Sequence, residues 1–281
     1  MAKSGSKASK DSLSFLEHLE ELRWHLIRAV IAIVVLSIVA FIFKDIVFDK
    51  IIFGPRNPDF ASYRALCWFS QQFGGDAFCF TDEPFELLNT RMAGQFTMHL
   101  WVSFVFGFIV AFPYVFFEIW RFISPGLHQK ERKHSRGIIF STSMLFLLGV
   151  GFGYFIISPF SVQFLATYSV SESVVNRIDL SSFISTVTSV TLASGLVFEL
   201  PIVVYFLAKV GLVTPEMMRN YRRHSIVVIL IVASIITPPD ITSQILVTLP
   251  VLLLYELSIK IAARVIKRRE KELMTNEVTR R

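Results

Sequence analysis

Phe117-Glu118-Ile119-Trp120-Arg121-Phe122-Ile123-Ser124-Pro125-Gly126-Leu127, followed by Glu131-Arg132-Lys133, separates two long uncharged runs. Met92 to Phe117 holds 26 residues without a charge and Gly137 to Ser171 holds 35. Each exceeds the roughly 20 apolar residues that a helix needs to cross a bilayer. A connector between membrane helices needs little beyond polarity. This one holds two acids, five bases, a Trp, two Phe and a Pro-Gly turn within twenty residues of Phe117. That content reads as a binding surface.

The rest of the chain fits the same class. Hydrophobic residues make up 53% of it, Phe alone contributes 28, and the mean hydropathy is +0.56. Charged residues are 18%, against about a quarter in soluble domains. These values predict one polytopic membrane domain over residues 1–281, without a linker or repeat. The Ser/Lys-rich start has no apolar core and is not read as a cleavable signal peptide. Further spans fall at Ala29–Phe43, extended back to Trp24 if Arg28 snorkels, and at Leu180–Ala208, interrupted only by Glu199. The last apolar run, Ser225–Tyr255, is split by Pro238-Pro239-Asp240, which no continuous helix tolerates. The expectation is an all-α fold of six transmembrane helices, the last two short. Ser225–Thr237 and Ile241–Tyr255 have 13 and 15 residues, or about 20 Å each against a hydrocarbon core of about 30 Å. A β-barrel would instead show alternating segments of about 10 residues.

Basic residues give the orientation. The N-terminal region, the loops 118–136 and 209–224 and the tail 260–281 hold 22 of the 28 Lys and Arg. The positive-inside rule therefore places both termini in the cytoplasm. Because the bases track membrane boundaries, the net charge of +6 implies no nucleic acid. The loop 44–91 then faces outward and carries both cysteines, Cys67 and Cys79. A disulfide suits an oxidising compartment. Two reduced, packed cysteines are the alternative.

Residues 1–23 carry a capping-box pattern at Ser14–Glu17, then Phe15, Leu19, Leu22 and Leu26 at helical spacing. This predicts an amphipathic lead-in helix lying along the membrane before turning into the first span. Its polar face bears Glu17, Glu20 and Glu21, with Glu20 offset by Arg23. Glu131 lies between Lys130 and Arg132; an exposed ion pair there adds only about 0–1 kcal/mol, little reason to place an acid. Glu118 is a third acid that could assist such a surface, but it reads better as a marker of the span's end. Glu199 sits within an apolar run, where a bare charge costs several kcal/mol, so it must be protonated, cavity-facing or partnered. Pro201 beside it predicts a kink. No nucleophile–base, phosphate-loop or metal-ligand pattern occurs, and the six His are scattered, so neither an enzyme nor a cofactor is expected. His99 reads as a hydrogen-bonded packing residue.

The run FFEIWRFISPGLHQKER, residues 116–132, resembles the first cytoplasmic loop of the TatC family. Glu17-His18-Leu19-Glu20-Glu21-Leu22-Arg23 is similar to that family's pre-membrane segment, and Phe198-Glu199-Leu200-Pro201 to an acid–proline pair in its fourth span. Thr237-Pro238-Pro239-Asp240-Ile241-Thr242-Ser243-Gln244, with Pro250 and Tyr255-Glu256 beyond, is similar to its last hairpin. The resemblance implies the receptor and core of a twin-arginine translocase in a bacterial cytoplasmic membrane. Such a receptor binds twin-arginine signal peptides of folded precursors and recruits TatA/TatB-like single-span proteins into an oligomeric complex. It draws on the proton motive force, with no ATP site and no cofactor. Glu21 and Glu131 would then recognise the two arginines, with Arg23, Phe122 and Pro125 around them, while Glu199, Thr237 and Gln244 would contact partners. The chain departs from the family at Glu118, often Gln there, and in its two cysteines. The competing reading is a proton-coupled secondary transporter using Glu199, but the chain lacks the internal repeat that reading needs. An intramembrane hydrolase would need a nucleophile–base motif.

Overall fold

The computed structural model describes residues 15–72, 79, 85–123, 135–171, 173, 176–237 and 241–279. Helix α1 is Phe15–Ile42. A π-helical turn (Ile46–Ile52), a 3-10 turn (Gly54–Arg56) and α2 (Ala61–Gln72) fill the following loop. Strand β1 (Leu87–Leu88) precedes α3 (Gly94–Ile123), and α4 (Ser135–Phe152) runs through a π segment, Gly153–Ile157, into α5 (Ser158–Thr167). Pro159, in the first turn of α5, has no N–H to give the preceding turn, and the wider π register absorbs that loss. Strand β2 (Ile178–Asp179) leads into α6 (Leu180–Phe198) and α7 (Leu200–Val210), which meet at Glu199. The short α8 (Pro215–Asn220), then α9 (Arg222–Ile236) and α10 (Ile241–Thr279), complete the chain.

Five segments are long and apolar enough to cross a membrane by length and composition: Glu20–Ile42, Gly94–Ile123, Gly137–Thr167, Leu180–Val210 and Thr242–Arg268. Helix α9 has 15 residues, about 22 Å, and falls below that length. The expected short fifth helix is therefore present. The last helix corrects the sequence reading: α10 does not stop near Tyr255 but runs 39 residues, from Ile241 to Thr279, through the region expected to be tail. Glu256 and Lys260 end the apolar run, but a charge ends a membrane span, not a helix. Past Pro250 no Gly or Pro interrupts residues rich in Leu, Glu, Lys and Arg. A second correction concerns the N-terminus. The lead-in does not turn into the first span; α1 is unbroken from Phe15, since no residue there disfavours helix.

Helices in lipid gain little by hiding apolar surface from one another, so close backbone approach holds them together. Gly107 of α3 meets α1 this way: a Cβ there would lie 2.5 Å from the Ser37 backbone nitrogen and 2.7 Å from its Cα. Gly149 of α4 meets α6 likewise, with the Ser194 carbonyl 2.7 Å from where its Cβ would be. Between these contacts Phe112 of α3 stacks on the fully buried Phe146 of α4, centroids 3.6 Å apart. Val102, Phe183, Ile184 and Val187 form the core beside the first loop. Ile157, Val190, Ile229, Ala233 and Val251 form the next core, and Val204, Ala208, Met218 and Ile259 the one beyond. Outward, Val30, Val34, Ile38, Phe104, Phe140 and Leu148 are exposed, which is the surface that lipid covers.

The loop 44–91 is tied to the spans. The Tyr63 hydroxyl donates to the Pro55 and Pro159 carbonyls (2.9 and 3.1 Å), and Tyr154 donates to Ile51 O (2.5 Å). Arg56 donates to Phe85 O (2.7 Å), and a Cys67–Cys79 disulfide closes the end of α2. Strands β1 and β2 pair in parallel, Leu87 with Ile178 and Leu88 with Asp179. Asp179 also caps α6 through Ser181 N (2.9 Å) and accepts from Thr90 (2.7 Å). Bonds from Ser181, then Thr90, hold its carboxyl well below the usual range. At the other end of the fold, Tyr255 bridges Ser225 and Met218, and Arg222 pairs with Glu256 at 2.8 Å.

Gly107→Val tests the α1–α3 contact. Overpacking at that seam should cost about 1–3 kcal/mol, read as a lower unfolding temperature in detergent. Val at Gly151, which has nothing within 4 Å of an added Cβ, should be tolerated better.

Candidate functional site

The i, i+4, i+7 spacing of Glu21, His25 and Arg28 puts all three on one face of α1, turned toward the end of α3. With Trp24 and Arg121 they line an open cleft of about 430 Å³. His25 is buried at its base. Its Nδ1 shares a 2.5 Å hydrogen bond with Glu118 Oε2, and its Nε2 lies 3.9 Å from Glu21 Oε1. Glu118 is only 2% exposed, and the Tyr114 hydroxyl one turn earlier on α3 also bonds it. The Glu21 side chain is 40% exposed and stands at the rim. The Phe122 ring lies beside His25, centroids 6.3 Å apart. Trp120 is buried against Phe206. One imidazole thus bridges two carboxylates, the inner one bound tightly and the outer one loosely. The outer carboxylate can take a cation from solution.

The structure brings together Glu21 and Phe122 of the expected site. Arg23 is exposed on another face of α1 and does not line the cleft. Glu131 and Pro125 lie outside the described residues. Glu118 lies in the last turns of α3 and is also a buried partner of His25, because α1 covers that end of α3. His25 went unrecognised among scattered histidines, although its place four residues after Glu21 on a helix was the available signal.

The intramembrane acid occupies a second place. Glu199 sits at the break between α6 and α7, with Pro201 in the first turn that follows. Among the described residues both of its carboxyl oxygens are buried without a hydrogen-bond partner. The Phe146 amide faces the carboxyl but lies within the ladder of α4. An apolar groove of about 270 Å³ opens nearby, lined by Leu196, Leu200, Val203, Val228 and Val232 among others. Thr237 is buried and donates to Ala233 O at 2.9 Å, so its hydroxyl is engaged within α9. Gln244 reaches across the hairpin to Leu230 O at 3.5 Å. His99 stacks on Phe41 and hydrogen-bonds its carbonyl at 3.1 Å, a packing role. No cluster of three metal-ligating side chains occurs among the described residues.

The family model described as Sec-independent protein translocase protein (TatC) matches residues 17–250. The Sec-independent protein translocase protein TatC of Blattabacterium sp. subsp. Periplaneta americana (strain BPLAN) is 42% identical over 265 residues, 94% of this chain and 100% of that one. Its counterpart in Aquifex aeolicus (strain VF5) is 32% identical over 258 residues, 92% of this chain and 97% of that one. A crystal structure of the twin arginine translocase receptor TatC superposes with a TM-score of 0.67 at 31% identity, covering 89% of this chain and 100% of that one. A second, in DDM, gives 0.68 at 32% identity, covering 88% and 99%.

The buried pair at the cleft's base makes a stability prediction. His25→Ala strands the Glu118 carboxylate and should destabilise the protein by about 3 kcal/mol. Adding Glu118→Gln should restore most of that loss. Thermal unfolding in detergent of both single variants and the double variant measures the coupling.

Proposed function

The chain belongs to the TatC family, the receptor component of the twin-arginine translocase, and from that premise we propose that it binds twin-arginine signal peptides in the cleft between α1 and α3. The observation that carries this reading is the exposed Glu21 carboxylate at the rim of a cleft whose inner acid, Glu118, is already engaged by His25. A guanidinium presents a planar fork of donors that one carboxylate meets with two parallel bonds, and an ammonium cannot match it. Arg28 and Arg121 line the same cleft as Glu21, so the site carries bases of its own. A second acid, Glu131 from the loop after α3, therefore completes recognition of two adjacent arginines. Phe122 offers apolar contact to the residues that follow them, and the Pro125 turn shapes the loop.

In this reading the chain is a multi-pass protein of a bacterial cytoplasmic membrane with both termini inside. It crosses six times, with α9 as a short fifth span where the bilayer thins. The Glu199 carboxyl, buried without a partner at a helix break, suits contact with a polar residue in the span of a TatA- or TatB-like protein, and Thr237 and Gln244 at the α9–α10 hairpin offer further contacts. The proton-coupled transporter reading loses its ground with family membership.

Pull-down of the detergent-solubilised protein with Arg-Arg and Lys-Lys signal peptides tests receptor function. Arg-Arg should be recovered preferentially, and equal recovery removes the assignment. In Glu21→Ala/Glu131→Ala the preference should disappear; its full retention would sink the site while leaving receptor function standing.

Glu199→Ala should abolish crosslinking to a TatA-like partner and leave peptide binding intact. Glu199→Gln should be milder, because an amide still donates and accepts. Normal crosslinking and export in the Ala variant would reduce Glu199 to a structural kink.

A further inference from the structure

The loop helix α2 has no part in either site. Its residues face two ways. Tyr63 and Ser70 are buried toward the protein, while Ala61, Arg64, Ala65, Trp68 and Phe69 are exposed. Trp68 is 68% exposed and Phe69 54%, an unusual display for aromatic rings in a loop surrounded by water. Arg64, one turn before Trp68, is the single charged residue of the helix.

Its depth is fixed by its anchors. The Tyr63 hydroxyl is bonded to the Pro159 carbonyl, and Phe60 stacks on Phe155 at 5.8 Å. Both partners belong to the segment Gly137–Thr167. Counting about 20 residues of hydrocarbon-crossing helix from Gly137 reaches the neighbourhood of Ile157. Helix α2 is thus held at the edge of the hydrocarbon, not far out in the aqueous phase. On that same segment Phe155 and Ile156 are exposed as well.

We propose that α2 is an interfacial anchor, laying Trp68 and Phe69 into the headgroup boundary of the bilayer with Arg64 against lipid phosphate. Trp is favoured at that boundary because its ring is apolar and its N–H still finds a polar partner. A single base with no acid on the helix matches an anionic headgroup layer. The Cys67–Cys79 disulfide fixes the backbone immediately before Trp68, so the ring is presented from a closed loop.

The test uses the full-length protein in vesicles of phosphatidylcholine and phosphatidylglycerol, comparing the native chain with Trp68→Phe. Emission is quenched in turn by lipid brominated near the headgroup, by lipid brominated near the chain ends, and by acrylamide in the water. The component lost in Trp68→Phe should be the one quenched most by shallow bromine. Quenching of that component by acrylamide alone would overturn the proposal, because the helix would face water. Strongest quenching by deep bromine would also overturn it. Protection from all three would overturn it in favour of a protein covering α2.

Discussion

Lipid offers no hydrophobic reward for pairing two apolar helices, so this fold depends on how closely their backbones can approach. Gly107 lets α1 settle on α3 along its length, and Gly149 does the same for α4 on α6. The first contact has a chemical outcome. It brings the polar start of α1 over the end of α3 and covers Glu118, so that an acid expected at a membrane boundary becomes a buried partner of His25. The cleft is a by-product of helix packing: its walls are the start of α1 and the end of α3, held together by their seam.

The two buried acids answer the same electrostatic problem differently. Glu118 is held locally by a hydrogen bond to a histidine one helix away. Glu199 has no such partner among the described residues and stands where the helix itself is interrupted. An acid satisfied internally belongs to the architecture. One left unsatisfied in the membrane exerts a pull on whatever polar group comes near.

Much of this was legible in the sequence, for a physical reason. Charge is excluded from hydrocarbon, so uncharged windows such as Met92–Phe117 and Gly137–Ser171 mark spans directly. The break at Glu199 was announced by Pro201, and the short α9 by the Pro238-Pro239 pair. What stayed hidden depended on three-dimensional neighbours. His25 and Glu118 are 93 residues apart, and neither residue alone signals the other. The length of α10 was missed because hydropathy reports where a membrane ends, whereas helix propensity decides where a helix ends. The cysteine pair was compatible with two states until the fold of the loop joined Cys67 to Cys79. Glu131 and Pro125, outside the described residues, still rest on the motif alone.

The continuity of α10 has a mechanical side. Its 39 residues make a rod of about 58 Å, nearly twice the thickness of a hydrocarbon core. The Arg222–Glu256 pair and the Tyr255 bonds grip it near its middle, like a pivot. A rod held this way converts rotation into displacement. Tilting by about 10° at the pivot would swing its far end through about 6 Å. A shift among helices inside the membrane would therefore be amplified, not damped, by the time it reaches the water beyond.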